Sequence, residues 1–226
     1  MTDRSRVVRA FVVALVVGLA LGFATQHLQA HLPGNWNTLA NSGVVWVVFA
    51  FTVTAVLRLP PGWSAVLGFI TLVGALAGYY ASARFIDDVT SSASTMAVWL
   101  FAALVGGPVF GVAGSWWSAA GQVRSTGSWL STGGSSLRYE GRFWQLRRPV
   151  VAVALLSGAF LAEGIYFLWQ VENKHASGLV EVVLAVLAPM MLARTNRDRL
   201  TGLLLLFPLG LLGMAFYRLL NALLAA

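Results

Sequence analysis

The chain contains no cysteine, which excludes disulfides, thiolate catalysis and cysteine-bound metal. Charge is nearly as scarce: 10% of the 226 residues are Asp, Glu, Lys or Arg, against 58% hydrophobic. A soluble domain needs far more polar surface, so the composition is that of an integral membrane protein. Catalytic signatures are missing too. There is no HExxH and no Gly-x-Ser-x-Gly, and the Gly- and Ser-rich "STGGSS" lacks the Gly-Lys-Ser/Thr of a P-loop. No histidine lies deep enough in an apolar run to serve an intramembrane serine. Metalloprotease, elbow-type hydrolase and self-contained ATPase chemistries are therefore not expected, and no cofactor is.

What the chain has in quantity is apolar length. A bilayer core about 30 Å thick takes roughly 20 apolar residues of helix. Seven runs qualify: Val7 to Leu28, Ser42 to Leu57, Trp63 to Ala83, Met96 to Trp117, Val150 to Gln170, Ser177 to Ala193 and Leu200 to Leu220. The first follows Arg4, Arg6 and Arg9 like a signal peptide, but it outruns the h-region of one and no small-x-small site follows, so it reads as retained. The expectation is an all-α polytopic membrane bundle of seven helices forming one domain over residues 1–226.

A net charge of +7 would suit nucleic-acid binding if the basic residues were clustered for it. They alternate by loop instead. Arg4, Arg6, Arg9, Arg58, Arg124, Arg138, Arg142, Arg147, Arg148, Arg194, Arg197 and Arg199 fall on one side, Arg84 and Lys174 on the other, and Arg218 within the last run. By the positive-inside rule the N-terminus is cytoplasmic and the C-terminus outside, and adding or losing one helix would scramble the pattern. The basic excess then reflects topology and anionic headgroups, and no nucleic acid is expected as a partner. The residues from 118 to 149 read as a flexible cytoplasmic linker. Its Arg124, Arg138, Arg142, Arg147 and Arg148, with Trp129, Phe143 and Trp144, suit an anionic membrane surface.

That linker and the fourth span divide the chain into three helices, one, and three. Sliding it by about 140 residues lays "VALVVGLAL" on "VALLSGAFL", Asn41 near Glu181 and Gly74 near Gly213, which suggests a parallel 3+1+3 repeat. Glycines four apart, Gly18 and Gly22, Gly74 and Gly78, Gly107 and Gly111, predict closely packed helices, and Pro108 predicts a kink in the fourth span.

"LANSGVVWVVFAF" (Leu39 to Phe51), "GGPVFGVAGSWW" (Gly106 to Trp117) and "LAEGIY" (Leu161 to Tyr166) resemble an uncharacterised family of small multipass membrane proteins from high-GC Gram-positive bacteria, a domain of unknown function. The resemblance runs from about Val7 to Phe216. It implies a bacterial cytoplasmic membrane and brings no activity, substrate or cofactor.

Ionisable groups inside a membrane are costly and usually have a partner or a task. Glu163 lies seven residues before the outer end of its run, roughly 10 Å deep at 1.5 Å per residue. Glu181 enters from the outside on the next helix, and Arg218 is similarly shallow on the last. Glu163, Tyr166 and Gln170 share one helical face, as do Met214, Tyr217, Arg218 and Asn221, while Asn41, Trp46, Tyr79, Tyr80 and Arg84 reach the same level. Two readings follow. One is an outward-facing polar pocket for a polar or cationic small molecule, lined by Glu163, Glu181, Arg218, Asn41, Tyr166, Tyr217, Tyr79, Tyr80 and Trp46. The other is an Arg218 salt bridge to one acid that fixes helix order. Either leaves one carboxylate over, to take a proton or await a cation.

His27 and His31 are four apart, the spacing that offers two imidazoles to one metal, and Asp87 and Asp88 are the acids at that level; solvated interfacial histidines are the plainer reading. The function classes that remain are a small-molecule transporter or ligand-binding membrane subunit, a non-transporting scaffold or accessory subunit, and an intramembrane enzyme working through carboxylates.

Overall fold

An apolar run in lipid finds no water for its N–H and C=O groups, so it folds as a helix that satisfies them internally. The computed structural model describes residues 4–126 and 139–225, and among them every regular element is helical. In chain order they are α1 (Arg4–His31), α2 (Asn35–Ala40), α3 (Gly43–Leu57), α4 (Pro61–Phe85), α5 (Ala93–Thr126), α6 (Tyr139–Trp169), α7 (His175–Leu192) and α8 (Asn196–Ala225). Seven segments are long and apolar enough to cross a bilayer. The second of them, Asn35–Leu57, is a broken helix: α2, a turn at Asn41 and Ser42, then α3.

The helices outrun the apolar runs. α5 continues to Thr126 and α6 begins at Tyr139, so both flanks of the expected 118–149 linker are helical and its centre, 127–138, lies outside the described residues. Hydropathy marks where a helix leaves lipid. The hydrogen-bond ladder has no reason to stop there, and Pro149 is accommodated inside α6.

Glycine decides which helices meet. Gly18 and Gly22 of α1 lie against the backbone of Thr71, Ala75 and Tyr79, and Gly78 of α4 against Leu19, so a Cβ at any of the three would collide with main chain. Gly68 meets Gly107 and Gly111 in the same way where α4 crosses α5. Without a hydrophobic drive in lipid, such backbone approach is what holds helices together. α1 packs on α4, α4 on α5, α5 on α3 and α6, and α6 on α7 and α8, whereas α5 and α8 barely touch.

The end of the bundle bearing the chain's N-terminus is tied by polar contacts. Arg6 donates to the carbonyls of Leu57 and Arg58, the Trp117 indole donates to the Leu192 carbonyl, and Arg194 donates to the Trp117 carbonyl. Arg58 ends α3 in a left-handed conformation (φ 52°) and Pro61 opens α4 at its first turn. The opposite, distal end gathers the C-termini of α1, α4, α6 and α8 with the N-termini of α3, α5 and α7. The break between α2 and α3 lies there.

Candidate functional site

A helix that begins inside a membrane leaves its first N–H groups without water. α3 begins that way. Ser42 is its N-cap, and its Oγ accepts from the Val45 N–H at 3.3 Å. The two preceding N–H groups are met from another helix. Glu163 of α6, 3% exposed, accepts from Gly43 N at 2.9 Å on Oε1 and from Val44 N at 2.8 Å on Oε2. Ser42 Oγ also donates to Oε2, at 2.7 Å, and the Tyr217 hydroxyl of α8 lies near the same carboxylate. A carboxylate at the positive end of a helix dipole with three donors is a stable arrangement for buried charge. Gly43 leaves room for it, since a Cβ there would sit 3.1 Å from the Tyr217 hydroxyl and 3.7 Å from Glu163 Oε1.

Glu181 of α7 is 1% exposed and lies in the field of Glu163, beside Ser42 and Tyr217. Neither of its oxygens has a hydrogen-bond partner. Close approach of α6 and α7 at Gly164 and Gly178, where a Cβ on either would lie within 3 Å of the other's carbonyl, brings the two acids together. Tyr166 stacks on Tyr217 with ring centroids 5.3 Å apart and 17° between planes.

Arg218 does not join them. Its side chain is exposed, and the one ion pair among the described residues is the surface pair of Arg84 and Asp88. Tyr217 and Arg218 are consecutive, so about 100° of helix separates their directions, and only Tyr217 turns inward. In place of the salt bridge of the second reading, a helix terminus is the partner of Glu163.

Next to this knot lies a cavity of about 650 Å³, walled by α3, α4, α5, α6 and α8. Of the residues proposed from sequence, Asn41, Trp46, Tyr79, Tyr80 and Tyr217 line it, and Glu163, Glu181, Arg218 and Tyr166 do not. Most of the wall is aliphatic or aromatic: Leu72, Leu76, Trp99, Phe110, Leu155 and Leu209 take it toward mid-bundle. Its hydrogen-bonding groups cluster distally in Asn41, Tyr79, Tyr80, Ser91, Thr95 and Tyr217, together with the Trp46 indole N–H, which is buried without a partner. Tyr79 donates to Gln29 at 2.8 Å, and the rings of Trp46, Tyr79 and Tyr80 adjoin in sequence at 6.1 and 5.3 Å. Where α5 and α8 part, the lining residues Val105, Val109, Leu212 and Leu219 are exposed, so the wall opens sideways toward hydrocarbon.

The sequence missed Ser42 as a functional residue, although "NSG" ahead of an apolar run is an N-cap signal. It also missed Thr95, Trp99 and Phe110, which carry no signal beyond helical placement. His27 and His31 stack at 4.2 Å between centroids, and His31 Nδ1 sits 2.7 Å from the His27 carbonyl. Asp87 accepts from Gln26 and Asp88 pairs with Arg84, and among the described residues no three His, Asp or Glu form a metal-sized group. The side chains of Arg124, Arg138, Arg142 and Arg147 lie outside the described residues, while the Arg148 guanidinium lies 5.9 Å over the Trp116 ring.

Comparison with known proteins adds a family without an activity. The chain belongs to DUF6518, a family of unknown function, which it matches over residues 1–131 and 126–223. No curated protein matches it, and no solved structure does.

Proposed function

We propose that this member of a family of unknown function binds a small amphipathic molecule in the cavity between α3, α4, α5, α6 and α8, as a transporter or as the ligand-binding subunit of a larger membrane assembly. The observation that carries this reading is the cavity itself: about 650 Å³, within the 300–1,000 Å³ of small-molecule sites, apolar along its length with a few hydrogen-bonding groups at one end. An apolar tail suits Leu72, Phe110 and Leu209, and a small uncharged polar head suits Asn41, Thr95 and the tyrosines. The polar or cationic ligand expected from the acids fits less well, because both carboxylates lie behind the first turn of α3. Entry between α5 and α8 would let the ligand come from the bilayer.

The alternation of basic residues supports a cytoplasmic N-terminus, which makes the distal end, and the cavity's polar rim, outward-facing. Arg148 beside Trp116 supports contact of the basic segment with anionic headgroups. A 3+1+3 repeat draws support from α1 on α4 matching α6 on α8. The pairing of α6 with α7 has no equally extensive counterpart between α1 and α3. The scaffold reading also keeps one specific observation, the Glu163 cap, which serves architecture and needs no ligand.

Native mass spectrometry of the protein purified in nanodiscs tests the proposal. Wild type should retain a small amphiphile from the host membrane, and Ala159→Phe or Ala102→Trp, which fill the cavity, should lose it while the protein stays folded. Equal lipid patterns in wild type and both variants would leave the scaffold reading standing instead.

A further inference from the structure

Hydrogen-bond counting at the α3 terminus locates a proton. A carboxylate offers about four lone-pair positions and no donor. Glu163 has three donors on it, Gly43 N–H, Val44 N–H and the Ser42 hydroxyl, and the Tyr217 hydroxyl lies close by. As a carboxylate it serves all three as acceptor. The Ser42 hydroxyl has one hydrogen and two acceptor positions. The hydrogen goes to Glu163 and one acceptor position to Val45 N–H, which leaves one acceptor position free. Glu181 lies beside that oxygen, buried, with neither carboxyl oxygen bonded. As a carboxylate it would face a hydroxyl with no hydrogen to give and a second negative charge. As an acid it can donate to the free position on Ser42 Oγ.

We propose that Glu181, Ser42 and Glu163 form a buried proton-binding site, with the proton on Glu181 and the charge on Glu163, and that loss of this proton opens the α3 terminus. The ionisable groups facing the pair are Tyr217 from α8 and Tyr166 from α6; α3 contributes only Ser42, and Arg218 is turned outward. No described cation therefore neutralises a second carboxylate. Removing the proton leaves two like charges in a dry site, which water entering at the α3 terminus or separation of α7 from α6 relieves. The relay also allows the charge to change sides. The Glu181 O–H bond breaks as a hydrogen joins Ser42 Oγ, and the original Ser42 hydrogen moves to Glu163 Oε2. A neutral Glu163 then holds the α3 N–H groups less firmly. Because Asn41, Gly43, Val44, Trp46 and Tyr217 border the cavity, opening at this point changes the cavity wall. The site does not depend on the cavity having a ligand.

Infrared difference spectroscopy on the full chain in liposomes tests the proton directly. Wild type at neutral pH should show one protonated-carboxyl C=O band that shifts in D₂O. Glu181→Gln should lose it, and Glu172→Gln, at the exposed loop before α7, should keep it. Ser42→Ala should move the band upward in frequency by removing its acceptor. The opening is read from a cysteine placed in this cysteine-free chain. Val44→Cys, buried in the cavity wall, should label with an impermeant maleimide faster as pH rises through loss of the band. The rate is taken relative to Glu172→Cys, and the dependence should vanish in the Glu181→Gln background. No carboxyl band, or a band that survives Glu181→Gln, overturns the proton site. Labelling that follows sodium concentration and not pH replaces the proton with a cation, and a pH-independent ratio in wild type overturns the opening.

Discussion

The first turn of α3 has two different sides. On one, three donors converge on buried Glu163. On the other, a cavity of about 650 Å³ opens with mostly apolar walls and a partnerless Trp46 indole N–H. A few ångströms of helix separate the region rich in charge from the region with room. The lesson is specific to lipid. A carboxylate there is most stable where fixed dipoles and donors surround it, as at a broken helix, and such a place is full. A ligand needs space first and polar groups second. The acids therefore mark the architecture of the site, and the aromatic wall marks its volume.

The comparison can be broken hardest from the saturated side. Glu163→Ala leaves the N–H groups of Gly43 and Val44 buried without acceptors, and at roughly 1–3 kcal/mol for each the loss should reach roughly 2–6 kcal/mol. Thermal unfolding in detergent should fall sharply or the protein should fail to assemble. The cavity side should respond in the opposite way: Ala159→Phe should leave unfolding almost unchanged and remove the bound amphiphile. Tyr217 belongs to both sides, lying near Glu163 and lining the cavity. Tyr217→Phe should cost about 1 kcal/mol, since it removes a polar neighbour from a carboxylate that keeps its three donors. Arg218→Gln should be the smallest effect, within about 0.5 kcal/mol, as for an exposed side chain without a partner. A large loss there would restore the salt bridge that the sequence suggested.

Much of the fold was legible beforehand because span length and hydropathy are properties of single helices. Seven apolar runs correspond to seven helices long and apolar enough to cross a bilayer, the second starting seven residues early at Asn35, and Gly18, Gly22, Gly78, Gly107 and Gly111 mark real backbone contacts. Depth was legible too, since Glu163, Glu181 and Tyr217 do meet at one level. Direction around the helix was not. Arg218 and Tyr217 share a depth but not an azimuth, and only the packing of α8 on α6 decides which one turns inward. The helical flanks at Thr126 and Tyr139 were hidden because hydropathy reports the edge of lipid and not the end of a helix. The cavity was hidden for another reason: it is the shape left between five helices, and no single run encodes it. The cap on α3 was half visible. Ser42 announced a helix start, but its acceptor partner lies 121 residues away.

The most direct test sets Glu163→Gln against Ala159→Phe, measuring copurified amphiphile per folded protein by native mass spectrometry. Glutamine keeps the size of the side chain but gives up its charge and half its acceptor capacity, so the terminus of α3 should weaken while the cavity survives. The account predicts that Glu163→Gln unfolds at a lower temperature yet retains the ligand, and that Ala159→Phe does the reverse. Loss of ligand from a stable Glu163→Gln protein, with retention in Ala159→Phe, would contradict it and return the binding site to the carboxylates.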